Sequence, residues 1–122
     1  MTELENLRDD LRKFSAARDW EQFHSPKNLS MSLSIEAAEL MEHFQWITAD
    51  ESRALADSPE KVAAIGEEMA DVLCYLLALS SALRLDISQA VRAKMLKNAA
   101  KYPAAEYRGR YGPEDERPPH AD

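Results

Sequence analysis

The chain has 122 residues, with 15 Lys+Arg against 22 Asp+Glu and a formal charge of −7. That length fits one domain with a core of its own, and the acidity argues against a grip on a DNA or RNA backbone, so no nucleic-acid polymer is expected as a partner. A single cysteine, Cys74, excludes an internal disulfide and a Cys-built zinc site.

The opening MTELENLRDD is too polar for a secretion signal. The longest apolar run, Val72 to Leu79, is far short of a membrane span. The expectation is a soluble, cytoplasmic protein that engages no membrane. Residues 1–102 hold one Gly and two Pro, whereas residues 103–122 hold two Gly and four Pro. That shift predicts a helical domain over 1–103 and an irregular or subunit-crossing tail over 104–122. No stretch alternates β-branched and polar residues, so the fold class is all-α, a bundle of about four main helices.

Thr2-x-x-Glu5 reads as a capping box that opens the first helix. Leu4, Leu7, Leu11 and Phe14 follow on one face. Residues 18–25 lose that period and read as a connection. Ser25-Pro26 restarts the chain as a second helix, since proline suits the first helical position, and this helix is expected to reach Trp46. Residues 49–57 read as a connection with at most one helical turn. Ser58-Pro59 repeats the restart and opens a third helix to about Leu83. Asp86-x-x-Gln89 caps a last helix from Ile87 to about Tyr102, which Pro103 breaks.

The second and third helices carry an unusual set of acids. Glu36, Glu39 and Glu42 recur every three residues among Leu33, Ile35, Leu40, Met41 and Phe44, so part of the acidic stripe lies near the apolar face. Glu68 and Asp71 precede a run that is apolar on every side. Helix-dipole pairing explains Glu60 but not Glu68 or Asp71, which come two or more turns past Ser58. A solvated face is the competing explanation for these acids. If the two pairs meet in a bundle, their repulsion and lost hydration call for protons or a bound cation. Oxygen-only donors select hard ions, Mg²⁺ or Mn²⁺, which suit chemistry on a phosphate ester or anhydride. A di-iron site needs Glu-x-x-His on bundle helices. Glu21-x-x-His24 is the one such match, and it falls in an expected connection.

Glu36-Ala-Ala-Glu39 followed by Glu68-Met-Ala-Asp71 resembles the ExxE…ExxD signature of the MazG-like superfamily of all-α nucleoside triphosphate pyrophosphohydrolases. Residues 18–24 (RDWEQFH), 26–29 (PKNL) and 44–46 (FQW), with Lys94, Asn98 and Lys101-Tyr102-Pro103, resemble its dCTP pyrophosphatase branch. The resemblance spans about residues 4 to 103. It implies Mg²⁺ ligands at Glu36, Glu39, Glu68 and Asp71. It implies base-enclosing aromatics at Trp20, Trp46 and Tyr75, and substrate contacts at Lys94, Asn98, Lys101 and Tyr102. It also implies a homodimer or a homotetramer made of two dimers. Leu11 stands where that branch has a histidine, a departure at a base-contacting position.

The expected reaction is hydrolysis of a nucleoside triphosphate, with a pyrimidine deoxynucleotide such as dCTP or a modified form as substrate. The products are the monophosphate and pyrophosphate, a nucleotide-pool cleansing role. Glu39 or Glu42 would orient or deprotonate the attacking water. Each aromatic has a simpler alternative as a core or interface residue, and Lys94 as a dipole partner. The rival function is a non-catalytic acidic helical dimer that binds a partner protein. A phosphoribosyl-ATP pyrophosphohydrolase is disfavoured by the surroundings of Trp20 and Trp46.

Overall fold

A computed structural model of the chain describes residues 1–111 and 115–118; the rest of the expected tail lies outside the described residues. Helix α1 spans Glu3–Ala17. Its start is the expected box: the Thr2 hydroxyl accepts from the Glu5 N–H at 3.2 Å and the Glu5 carboxylate from the Thr2 N–H at 3.0 Å. Its end has no glycine. Asp19 takes the left-handed conformation at φ 51°, the Asp19 N–H donates to the Ala16 carbonyl at 3.1 Å and the Trp20 N–H to that of Ser15 at 3.0 Å. This is a Schellman closure, in which two backbone bonds satisfy the last carbonyls. A 3-10 turn, Glu21–Phe23, follows.

Helix α2 spans Pro26–Glu42. The Ser25 hydroxyl accepts from the Asn28 N–H at 3.1 Å, and the Asn28 amide donates back to the Phe23 carbonyl at 3.0 Å. The helix stops four residues before Trp46, the end that spacing predicts. Residues 43–47 wind down through turns, with the Phe44 N–H on the Met41 carbonyl at 2.9 Å and the Ile47 N–H on that of Phe44 at 3.2 Å. The reason lies just ahead. Thr48 is the N-cap of α3 (Ala49–Ala54), with a second capping box to Glu51, and a cap needs extended backbone, here ψ 164°. The expected connection therefore contains a true helix, followed by the 3-10 turn Leu55–Asp57.

Helix α4 runs Pro59–Ala82, 24 residues, about 36 Å at 1.5 Å per residue. Proline alone marks its start, since the Ser58 side chain makes no cap bond. Its end repeats that of α1: Arg84 has φ 54°, the Arg84 N–H donates to Ser81 at 3.1 Å and the Leu85 N–H to Ser80 at 2.8 Å. A side chain at left-handed φ costs roughly 1–2 kcal/mol, which asparagine and aspartate relieve best and glycine avoids. Arg84→Gly is therefore expected to stabilise the protein by about 0.5–1 kcal/mol, read as a rise in melting temperature, and Asp19→Gly to do less.

Within residues 1–85, one compact unit, α4 packs along α2 and more lightly on α1. Among the described residues the fully buried apolar side chains are Leu29 of α2 and Leu77 of α4, 1% and 2% exposed. Buried Ser80 satisfies its hydroxyl by donating to the Leu77 carbonyl at 2.8 Å. Met31, Ile35 and Met41 on α2, and Met69 and Leu73 on α4, stay exposed.

Residues 86–122 form a second unit. Helix α5 spans Ile87–Lys101, capped as expected by the Asp86 carboxylate on the Gln89 N–H at 3.0 Å. Past Pro103, where an irregular tail is expected, one turn of helix forms, α6 (Ala104–Tyr107). Pro103 cannot extend α5, yet its carbonyl accepts from the Glu106 and Tyr107 N–H groups at 3.0 and 3.1 Å. The Arg110 Nε donates to the Asp115 carbonyl at 2.8 Å. Hydrogen bonds from Arg117, then from the Tyr111 and Arg117 backbone, hold the Asp115 carboxyl far below the ordinary carboxylate range. No helix among the described residues is long and apolar enough to cross a membrane, and no strand occurs among them.

Candidate active site

Two of the packed helices bring their acids together. Glu36 and Glu39 lie one turn apart on α2, Glu68 and Asp71 one turn apart on α4. Carboxylate oxygens of Glu36, Glu39 and Glu68 lie within 4.8 Å of one another. Asp71 is close enough to raise the proton affinity of both Glu36 and Glu68. Glu36 and Glu68 are half-buried, whereas Glu39 and Asp71 are exposed.

The electrostatics are unfavourable as they stand. Glu36 Oε2 and Glu68 Oε2 are buried and accept from no donor. Glu36 is pushed from the ordinary 4.5 up to about 6. Lost hydration is the main cause, then a hydrogen bond toward Glu39 open only to the protonated acid, then repulsion from Glu39, Asp71 and Glu68. Glu68 is raised by the same causes, desolvation first, while nearby His43 acts weakly the other way. Acids that repel, with buried oxygens facing no donor, are in the condition that a cation relieves. The set is all-oxygen, so the ion it fits is hard and divalent, in the manner of Mg²⁺ or Mn²⁺.

Beside the acids opens a pocket of about 540 Å³, within the range that small-molecule sites occupy. Asp71 belongs to its wall, so the acids and the pocket are contiguous. Trp20 and Tyr75 line it too, joined by Leu11 and Phe14 from α1 and by His24. The lining thus combines aromatic and apolar side chains with charged ones of both signs, Asp71 and Glu21 with Arg8 and Arg12. Such a lining suits a flat ring that carries a charged end.

Two expected positions of the first unit are not part of the pocket wall or of the acid cluster. Trp46, in the turns after α2, is 87% exposed and outside the pocket wall. Glu42, the last residue of α2, is exposed and not among the converging acids of the described residues. Lys94 and Asn98 sit one turn apart on α5, and Lys101 and Tyr102 at its end, all in the second unit. The Lys101 ammonium lies 5.3 Å from the Tyr102 ring centre, and Tyr102 meets Tyr107 edge-on at 5.2 Å.

The pocket adds residues that spacing alone did not single out: Arg8, Arg12, Ser15, Cys74 and Ser81. A signal for them exists. Positions 71, 74, 75, 78 and 82 share one stripe of α4, and 8, 11, 12 and 15 one stripe of α1. Following the helix face onward from Asp71 traces the part of the wall that α4 supplies. Burial raises the Cys74 thiol above its ordinary value, as does the charge of Asp71.

The chain is similar to known proteins in sequence and in fold. Residues 31–111 match the MazG-like family. The chain is 48% identical over 101 residues to human (Homo sapiens) dCTP pyrophosphatase 1, covering 83% of this chain and 59% of that one. It is 46% identical over 106 residues to the Bos taurus protein of the same name, covering 87% and 63%. It thus spans about six-tenths of the length of these curated relatives. Among solved structures, a pyrophosphatase from Archaeoglobus fulgidus superimposes with a TM-score of 0.75 at 44% identity, covering 84% of this chain and 94% of that one.

Proposed function

The chain belongs to the MazG-like family, and from that membership we propose that it is a metal-dependent nucleoside triphosphate pyrophosphohydrolase, with dCTP or a modified pyrimidine deoxynucleotide as its substrate. The observation that carries this reading is the junction of the two parts of the site. Acids with donor-less buried oxygens are repelled by Asp71, and Asp71 belongs to the wall of a pocket that Trp20 and Tyr75 also line. Relatives of closely similar sequence bear the name dCTP pyrophosphatase 1.

Glu36, Glu39, Glu68 and Asp71 would hold the divalent ion, Mg²⁺ with Mn²⁺ as an alternative. Bound there, such an ion supplies charge stabilisation on the phosphoryl oxygens and a more acidic water. The chain's own residues do the rest. Trp20 and Tyr75 bury the faces of the base and keep water off it. Trp46, with its exposed indole, is free to close over the base from outside that wall. Glu39, exposed as Asp71 is, takes the proton of the attacking water, and Glu42 is the second candidate for that task. Lys94 and Asn98 bind phosphate oxygens, the lysine as a point charge, with Lys101 and Tyr102 beside them in sequence. The exposed apolar side chains of α2 and α4 form the contacts of a homodimer or homotetramer.

The test is a panel of the common NTPs and dNTPs with Mg²⁺, read as release of pyrophosphate and monophosphate. Stoichiometric pyrophosphate from dCTP, abolished by EDTA, is the expected result. A folded protein that releases none from any member, nor from modified pyrimidine deoxynucleoside triphosphates added to the panel, overturns the reading and leaves the acidic binding module.

A further inference from the structure

A stacking residue needs a fixed backbone and a fixed ring plane, and Trp20 has both. Its backbone is held by the Schellman closure of α1, with Asp19 at φ 51°. The Gln22 amide tightens that corner by donating to the Asp19 carbonyl and carboxylate, each at 3.0 Å. Its ring is met by Phe14, centroid to centroid 5.6 Å and 73° between planes. Phe14 is gripped in turn by Arg18: the guanidinium carbon lies 3.6 Å from the ring centre, and Nη1 donates to the Phe14 carbonyl at 3.0 Å. Arg18, Phe14 and Trp20 thus form a series in which only the last two reach the pocket wall.

We propose that Phe14, clamped by Arg18, is the positioning residue that sets the indole plane of Trp20 for stacking on the base. The proposal rests on the reading of this pocket as the base site. Both rings are 45% exposed, so without the clamp the indole would have to be ordered by the nucleotide itself, at a cost in affinity. Edge-to-face pairs of this kind contribute beyond their area burial, and a cation over a ring face adds to them.

The experiment uses Phe14→Leu and Arg18→Met, with Trp20→Leu as the control on the pocket reading. Arg18 is not part of the pocket wall, so its replacement leaves the lining residues themselves unchanged. Both variants are expected to raise the KM for dCTP about three- to tenfold, with kcat nearly unchanged. Inhibition by inorganic tripolyphosphate, which has no base, is expected to stay as it was, and Phe14→Tyr to restore the KM. In a Trp46→Phe background, where Trp20 is the remaining tryptophan, both variants are expected to speed the anisotropy decay of its fluorescence. An unchanged KM and unchanged decay, with Trp20→Leu raising the KM, overturns the clamp alone. An unchanged KM in Trp20→Leu overturns the pocket reading and the clamp with it. Tripolyphosphate inhibition that weakens in step with KM shows a general loss of structure and overturns the positioning role. Should Phe14→Leu fail to fold, Arg18→Met decides the matter by itself, since it alters an exposed side chain.

Discussion

Glu68→Gln is expected to cut pyrophosphate release by about a hundred- to a thousandfold, and at the same time to raise the melting temperature of the metal-free protein at neutral pH. The two effects share a cause. Glu68 places a buried oxygen with no donor beside Glu39 and Asp71, so its charge costs the fold until an ion arrives. Glutamine removes that charge at nearly constant volume and brings an amide able to donate to the neighbouring acids. It also removes a negative ligand, and with it much of the affinity for a hard cation. A residue kept only for the fold would lose stability and activity together. Opposite signs mark one held against the interest of stability. Activity assays at limiting and saturating Mg²⁺, paired with melting curves in EDTA, measure both. Full activity in the variant would sink the assignment of Glu68.

The second large effect concerns pH and metal together. Glu36 sits at about 6 in the folded chain against an ordinary 4.5. The folded state therefore holds extra proton between these values, and the stability this lends is complete below about 4.5 and lost as pH rises through about 6. Glu68 is raised too and adds in the same direction. In EDTA the melting temperature is expected to fall across that interval. Mg²⁺ must do the reverse, because it binds the deprotonated acids. At a hundredfold its dissociation constant an ion stabilises by about 2.7 kcal/mol, so Mg²⁺ should raise the melting temperature strongly at pH 8 and hardly at pH 5. Calorimetry at the two pH values with and without Mg²⁺ tests this. A metal shift of equal size at both would rule out Glu36 as a ligand.

What the chain reveals before folding is local chemistry. Thr2 with Glu5, Ser25 with Pro26, and Asp86 with Gln89 each define a helix start within four residues, and each start is found there. The end of α2 comes earlier than its spacing indicates because its last turn competes with a cap that lies beyond it, at Thr48. The triplet spacing of the acids is legible, but whether they meet is set by the register of α4 against α2. The pocket is the least legible part. Phe14 reads as part of an ordinary apolar stripe of α1, Leu11 is singled out from that stripe by the resemblance alone, and only the packing of α1 on α4 makes both line one pocket with Tyr75. The left-handed corner at Arg84 leaves no trace, since arginine is not a residue that favours it, and that at Asp19 leaves only the weak one that aspartate tolerates it.

Two sealed leucines, Leu29 and Leu77, are a small interior for such long helices. With the faces of α2 and α4 joined between copies as proposed, sensitivity to substitution moves outward. Ile35, Met41, Met69 and Leu73 look like surface positions in one copy, but in the assembly they would tolerate change no better than interior ones. The evolutionary consequence of such an assembly would be coupled drift: a substitution on one such face would meet its own image across the symmetry axis, so the sequence would explore these positions in self-complementary steps rather than one side at a time.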